Sequence, residues 1–190
     1  MADLRAGLIG LGAMGRHHAR VLRALPRAAR GAAADPGGDP YGGSGDLDVL
    51  PDVDALIAAG IQMAVVAVPT VFHEDVALAL AAAGVHTLVE KPIAATSEAG
   101  RKVAQAFAEA GLVGAVGHIE RFNPALQELR RRTEAGELGE VYQLATRRQG
   151  PFPARIADVG VVKDLGTHDS DLTAWVAQRP VPSGAAPTAD

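Results

Sequence analysis

Residues 8–15 read LIGLGAMG, a short apolar run that breaks into three glycines, Gly10, Gly12 and Gly15, at G-x-G-x-x-G spacing. By itself the triplet decides little, since the chain has 22 glycines in 190 residues. Its flanks decide. A dinucleotide-binding turn requires a strand before the glycines, a helix after them and an acidic residue about 20 positions further on. AGLIG supplies the strand, the helix opens at Ala13, and Asp35 stands 20 residues beyond Gly15. The three glycines serve different ends. Gly10 permits the tight turn, Gly12 lets the backbone approach a pyrophosphate, and Gly15 lets helix and strand lie close. The diphosphate then meets the positive helix end at Ala13, Met14 and Gly15, where N–H groups lack partners within the helix. Asp35 would accept hydrogen bonds from the ribose hydroxyls of NAD and repel the 2′-phosphate of NADP. A structural glycine turn without a ligand is the alternative.

Working outward, the chain alternates strand and helix with short linkers up to residue 118. LRAGLIGLG, ARGAAADP, MAVVAVP, VHTLVEKP and LVGAVGH read as strands. Between them lie a helix stopped by Pro26, a short helix capped by Asp52, one ended by Gly84, and one opened by Thr96 or Ser97 and followed by Gly111. PGGDPYGGSGD is loop by composition. This alternation predicts an α/β fold, a Rossmann doubly wound parallel sheet. Pro69-Thr70 and Glu90-Lys91-Pro92 fall at the carboxyl ends of strands, the edge where open sheets bind ligands.

Hydrophobic residues make up 48% of the chain and aromatics 4%. The core therefore rests on Ala, Val, Leu and Ile, as helix-covered parallel sheets do. A net charge of −4 gives no reason to expect nucleic acid; Arg130–Arg132 and Arg147–Arg148 read as solvated edges. Having no cysteine excludes disulfides, thiolate metal sites and cysteine nucleophiles. His73-Glu74-Asp75 lacks the second histidine of H-E-x-x-H, so no metal is expected. Glycines and Arg16-His17-His18 spoil a signal-peptide reading of the N-terminus. No apolar run approaches the roughly 20 residues of a membrane span. The expectation is a soluble, cytoplasmic protein with no membrane partner.

After His118 the style changes. A helix opens near Asn123-Pro124, EVYQLATRRQ alternates like a half-exposed strand, GPFPARIADVG is loop, and KDLGTHDSDLTAWVAQ is helical in pattern. The last twelve residues carry no periodicity and read as disordered. The predicted division is a dinucleotide-binding domain at 1–119, the start of an α+β substrate domain at 120–178, and a tail at 179–190. A lone strand at Val141–Thr146 would leave unpaired edges, a route to aggregation or a homo-oligomer. His18 is assigned to packing and His17 to solvent; Trp175, Phe122 and Phe152 are expected in the core or at a domain interface.

Four stretches, LIGLGAMGRHHARVL, VPTVFHEDVALALAAAGVHTLVEKP, GHIERFNPA and DVGVVKDLGTHDSDL, together resemble the Gfo/Idh/MocA oxidoreductases, the glucose–fructose oxidoreductase and inositol dehydrogenase group. The resemblance implies an NAD-dependent oxidoreductase acting on a secondary alcohol of a sugar, nucleotide sugar or cyclitol. GHIERFNPA with DVGVVKDL is most similar to members acting on nucleotide-linked amino sugars. Lys91 then matches the family's catalytic lysine, and Asp164 and His168 match its D-x-x-x-H pair. The chemistry agrees: imidazole titrates near neutrality and suits a base, while a lysine stabilises negative charge developing on the substrate oxygen. Asp164, four positions before His168, would orient the imidazole or bind a substrate hydroxyl. Pro69, Thr70, His73 and Glu90 join the glycine turn and Asp35 as expected cofactor contacts, with packing as the alternative for His73. Complete members continue well beyond DLTAWVAQ, so the resemblance also implies a truncated second domain. The competing function is a non-catalytic dinucleotide-binding sensor or partner subunit.

Overall fold

The computed structural model describes residues 4–148 and 165–180, which fall in two compact units, Met1–Gly117 and His118–Asp190. In the first unit six strands form one sheet: β1 (Leu4–Ile9), β2 (Ala28–Ala34), β3 (Asp48–Leu50), β4 (Met63–Val66), β5 (His86–Val89) and β6 (Gly114–Val116). Every pairing is parallel, and the order is β3-β2-β1-β4-β5-β6. This is the doubly wound order in which the direction of strand addition reverses between β1 and β4, opening a crevice at their carboxyl ends.

Alternating side chains of the central strands build the two faces. Ala6 and Leu8 of β1 and Val65 of β4 point one way and meet Ala19 and Leu22 of α1 (Gly15–Ala24). Ile9, Ala64 and Val66 point the other way, onto Leu56 of α2 (Val53–Ala58), Leu80 of α3 (His73–Ala82) and Val103 and Phe107 of α4 (Ser97–Glu109). Helix starts are fixed by side-chain caps. Asp52 accepts from the Ala55 amide at 2.8 Å and Thr96 from the Ala99 amide at 3.1 Å, each worth about 1 kcal/mol.

Two expectations for this unit change. The first helix begins at Gly15 rather than Ala13, because residues 12–14 are spent on the turn itself. The five expected strands become six: Asp48–Leu50 adds to the sheet beyond β2, in a stretch between the loop ending at Asp46 and the Asp52 cap that carries no strand signal. Three exposed or half-exposed residues at a sheet edge leave no apolar alternation to read.

The second unit, described by itself, holds a 3-10 turn (Ile119–Phe122), α5 (Pro124–Glu134) and α6 (Thr167–Ala177). The Asn123 side chain caps α5 at the Ala125 amide, 3.0 Å, with Pro124 as its first residue. The Arg130 guanidinium lies 4.7 Å from the Trp175 ring centre and donates to the Trp175 carbonyl at 3.1 Å, tying α5 to α6. Arg121 grips both carboxylate oxygens of Asp171, and Arg148 reaches Glu120 at 3.2 Å and Asp169 at 3.4 Å. The strand expected at Val141–Thr146 is absent: residues 139–148 have no regular structure. A strand exists only through a ladder partner, and the described residues of this unit contain none. Phe122 is 73% exposed, so it is not a core residue. Asp164, Phe152, the loop at 150–160 and residues 181–190 of the expected tail lie outside the described residues.

Candidate functional site

The site starts where β1 runs out. Gly10 turns the chain at φ +93°, a conformation side chains resist, and its amide donates to the Ala34 carbonyl of the neighbouring strand at 2.9 Å. Leu11 is completely buried and anchors the turn from below. Around Gly12 there is open space for a further group, whereas Gly15 is pressed against the Gly10 carbonyl. Ala13 and Met14 complete the turn, with Met14 exposed. The amino end of α1 therefore faces solvent over a bare glycine, an arrangement suited to an anion.

Asp35 stands just past the end of β2, and its carboxylate is already oriented. One oxygen accepts from the Leu11 amide and the other from the Gly37 amide, both at 2.7 Å. Two ionised carboxylate oxygens offer about four lone-pair sites, so capacity remains for ribose hydroxyls. The hydrogen bond to Leu11 links acid and glycine turn into one rigid corner.

β4 and β5 end side by side, with Val66 in register with Val89. Pro69 and Thr70 follow the first; Thr70 is buried in a 3-10 turn (Thr70–Phe72). Glu90, Lys91 and Pro92 follow the second, and the Glu90 amide donates to the Val66 carbonyl at 2.9 Å. His73, 1% exposed, opens α3 and bridges the two turns. Its Nδ1 lies 2.8 Å from the Pro92 carbonyl oxygen and its Nε2 2.9 Å from that of Val68. Both ring nitrogens thus face backbone carbonyl oxygens, and the N–H of a neutral ring donates to one of them.

The Glu90 carboxylate is largely buried, and its Oε1 is 2.7 Å from Nε2 of His18 on α1. Burial alone would raise its pKa. The hydrogen bond and positive field of His18, with the Lys91 amide and ammonium, outweigh that and hold it below the ordinary 4.5. His18 is therefore not the packing residue expected from sequence; it is a polar partner at the strand-end edge. Its signal is its place three residues after Gly15, which faces the helix back over the sheet. His17 is exposed, as expected.

In the second unit, His168 lies half-buried in the first turn of α6. The glycine turn, Asp35, Pro69, Thr70, His73, Glu90 and Lys91 all belong to the carboxyl edge of one sheet. The carboxyl edge of such a sheet suits an extended ligand with an anionic centre. It defines a Rossmann dinucleotide-binding protein.

Residues 4–118 match the family described as "Oxidoreductase family, NAD-binding Rossmann fold", the Gfo/Idh/MocA family, and the chain belongs to it. UDP-N-acetylglucosamine 3-dehydrogenase of Acidithiobacillus ferrooxidans is 37% identical over 175 residues, covering 91% of this chain and 54% of that protein. scyllo-Inositol 2-dehydrogenase (NAD(+)) of Bacillus subtilis is 29% identical over 92% of this chain and 54% of its own length. Among solved structures, GenD2 from gentamicin A biosynthesis in complex with NAD superposes with a TM-score of 0.79 at 29% identity, over 95% of this chain and 55% of that one. The chain thus spans about half the length of the relatives it matches. No described helix is long and apolar enough to cross a membrane.

Proposed function

We propose that the protein is an NAD-dependent oxidoreductase that moves a hydride between the nicotinamide and a secondary alcohol of a sugar, nucleotide sugar or cyclitol. The observation that carries the reading is the corner formed by the glycine turn and Asp35, closed by the 2.7 Å bond from the Leu11 amide. It fits NAD: open space at Gly12 admits a pyrophosphate, and a carboxylate at the strand tip suits free ribose hydroxyls better than a 2′-phosphate. In this reading Gly10, Gly12, Ala13, Met14, Gly15, Asp35, Pro69, Thr70, Glu90 and Lys91 line the cofactor cleft, while His73 holds its walls. Bound there, the nicotinamide supplies the hydride acceptor or donor.

The chain's own residues supply the rest. Lys91 hydrogen-bonds the substrate oxygen and stabilises charge developing on it. His168 takes the hydroxyl proton during oxidation and returns it during reduction. Asp164 orients that imidazole. Residues 1–119 form the cofactor domain and 120–178 the substrate-facing part, and the site of action is the cytoplasm. Nucleotide-linked amino sugars are the favoured substrates, supported by the similarity to the UDP-N-acetylglucosamine enzyme.

Calorimetric titration with NADH and NADPH tests the first half. Wild type should prefer NADH, and Asp35→Ala should weaken NADH by about tenfold or more, the effect of losing hydrogen bonds to a charged group. A screen of sugars, UDP-sugars and inositols with NAD tests the second. Turnover abolished by Lys91→Ala supports the enzyme, whereas binding without turnover of any alcohol selects the sensor or partner-subunit reading. No affinity for either dinucleotide refutes both.

A further inference from the structure

Lys91 sits in a turn that is gripped on both sides. After it in the chain, the Pro92 carbonyl oxygen lies 2.8 Å from Nδ1 of the buried His73 ring, from α3 on one face of the sheet. Before it, the Glu90 carboxylate spans two partners: Oε1 is 2.7 Å from His18 Nε2, on α1 across the opposite face, and Oε2 accepts from the Lys91 amide at 3.2 Å. A methyl at Gly117 would sit 3.0 Å from Oε2 and 3.1 Å from Cδ, so the missing side chain is what leaves it room.

A buried carboxylate is costly unless its lone pairs are satisfied. His18 is its side-chain donor among the described residues, and without it the carboxylate gains by swinging toward water. That swing would break the bond to the Lys91 amide and loosen one of the turn's holds. Catalytic groups lose effectiveness when displaced by about 0.5 Å.

We propose that His18 is a positioning residue for Lys91, acting through the Glu90 carboxylate. It couples the helix that carries the anion site to the turn that carries the lysine. The proposal rests on the assignment of Lys91 given above, but its test does not need substrate.

The experiment follows acylation of Lys91 in the 190-residue chain with an amine-reactive ester, from neutral to alkaline pH, quantified by peptide mass spectrometry. NADH titrations run beside it. His18→Ala and Glu90→Gln should each shift the pH profile of Lys91 labelling. The double variant should shift it no further than either alone, because both break one path. His18→Gln, which keeps an N–H donor, should restore most of the wild-type profile. If His18→Ala lowers the melting temperature yet labels like wild type, or if the two effects add, the proposal is wrong. A wild type that fails to bind NADH would overturn the proposed function while leaving the labelling cycle fully readable.

Discussion

A methyl group on Gly15 would lie 1.9 Å from the Gly10 carbonyl oxygen, a distance no packing adjustment absorbs. Gly15→Ala must therefore pry α1 off β1. The expected outcome is a loss of about 1–3 kcal/mol or more in denaturant unfolding, together with loss of NADH affinity. Residues of this kind are legible from sequence: the spacing, read with its flanks, marks Gly10 for the turn and Gly15 for the close helix–strand contact, and puts Asp35 at the strand tip. His18 and Glu90 are not legible in the same way. They lie 72 positions apart, and nothing in either neighbourhood announces the other. His73 is intermediate: its motif marks it, but only the fold reveals that both its nitrogens face backbone carbonyls rather than a ligand.

Among elements, those with a chemical start signal are readable and those defined by a partner are not. Asp52, Thr96 and Asn123 each cap the helix predicted to follow. β3 and the segment at Val141–Thr146 fail in opposite directions, one gaining a ladder from β2 and the other finding none. α5 has a pH signature of its own. Glu128 accepts from Arg131 and Arg132, which stand three and four positions further along the same helix face, at 2.8–2.9 Å. These guanidiniums pull its carboxyl down from 4.5 to about 2. A carboxyl lowered in the folded state adds stability that is complete above its unfolded value and is lost as pH falls through the folded one. A side-chain NMR titration should place the Glu128 midpoint near 2, and Glu128→Gln should flatten the pH dependence of the helical signal of α5 between pH 4.5 and that midpoint.

At the scale of the molecule, the strand–helix alternation is enough to specify the doubly wound sheet, since each crossover reports its neighbours through short linkers. The second unit offers no such rhythm, and Asp164, half of the expected D-x-x-x-H pair, lies outside the described residues. Within the first unit, the sheet is covered unequally. α2, α3 and α4 bury large residues such as Leu56, Leu80 and Phe107, whereas α1 commits only Gly15, Ala19 and Leu22. The helix proposed to meet the anion thus rests on the thinner floor. Its amides should exchange with deuterium faster than those of α3 in the free protein. Saturating NADH should slow that exchange selectively and raise the melting temperature with the logarithm of its concentration. The dinucleotide would then act as a missing tile of the tertiary structure, so that occupancy of the cleft and folding of the first crossover become a single equilibrium.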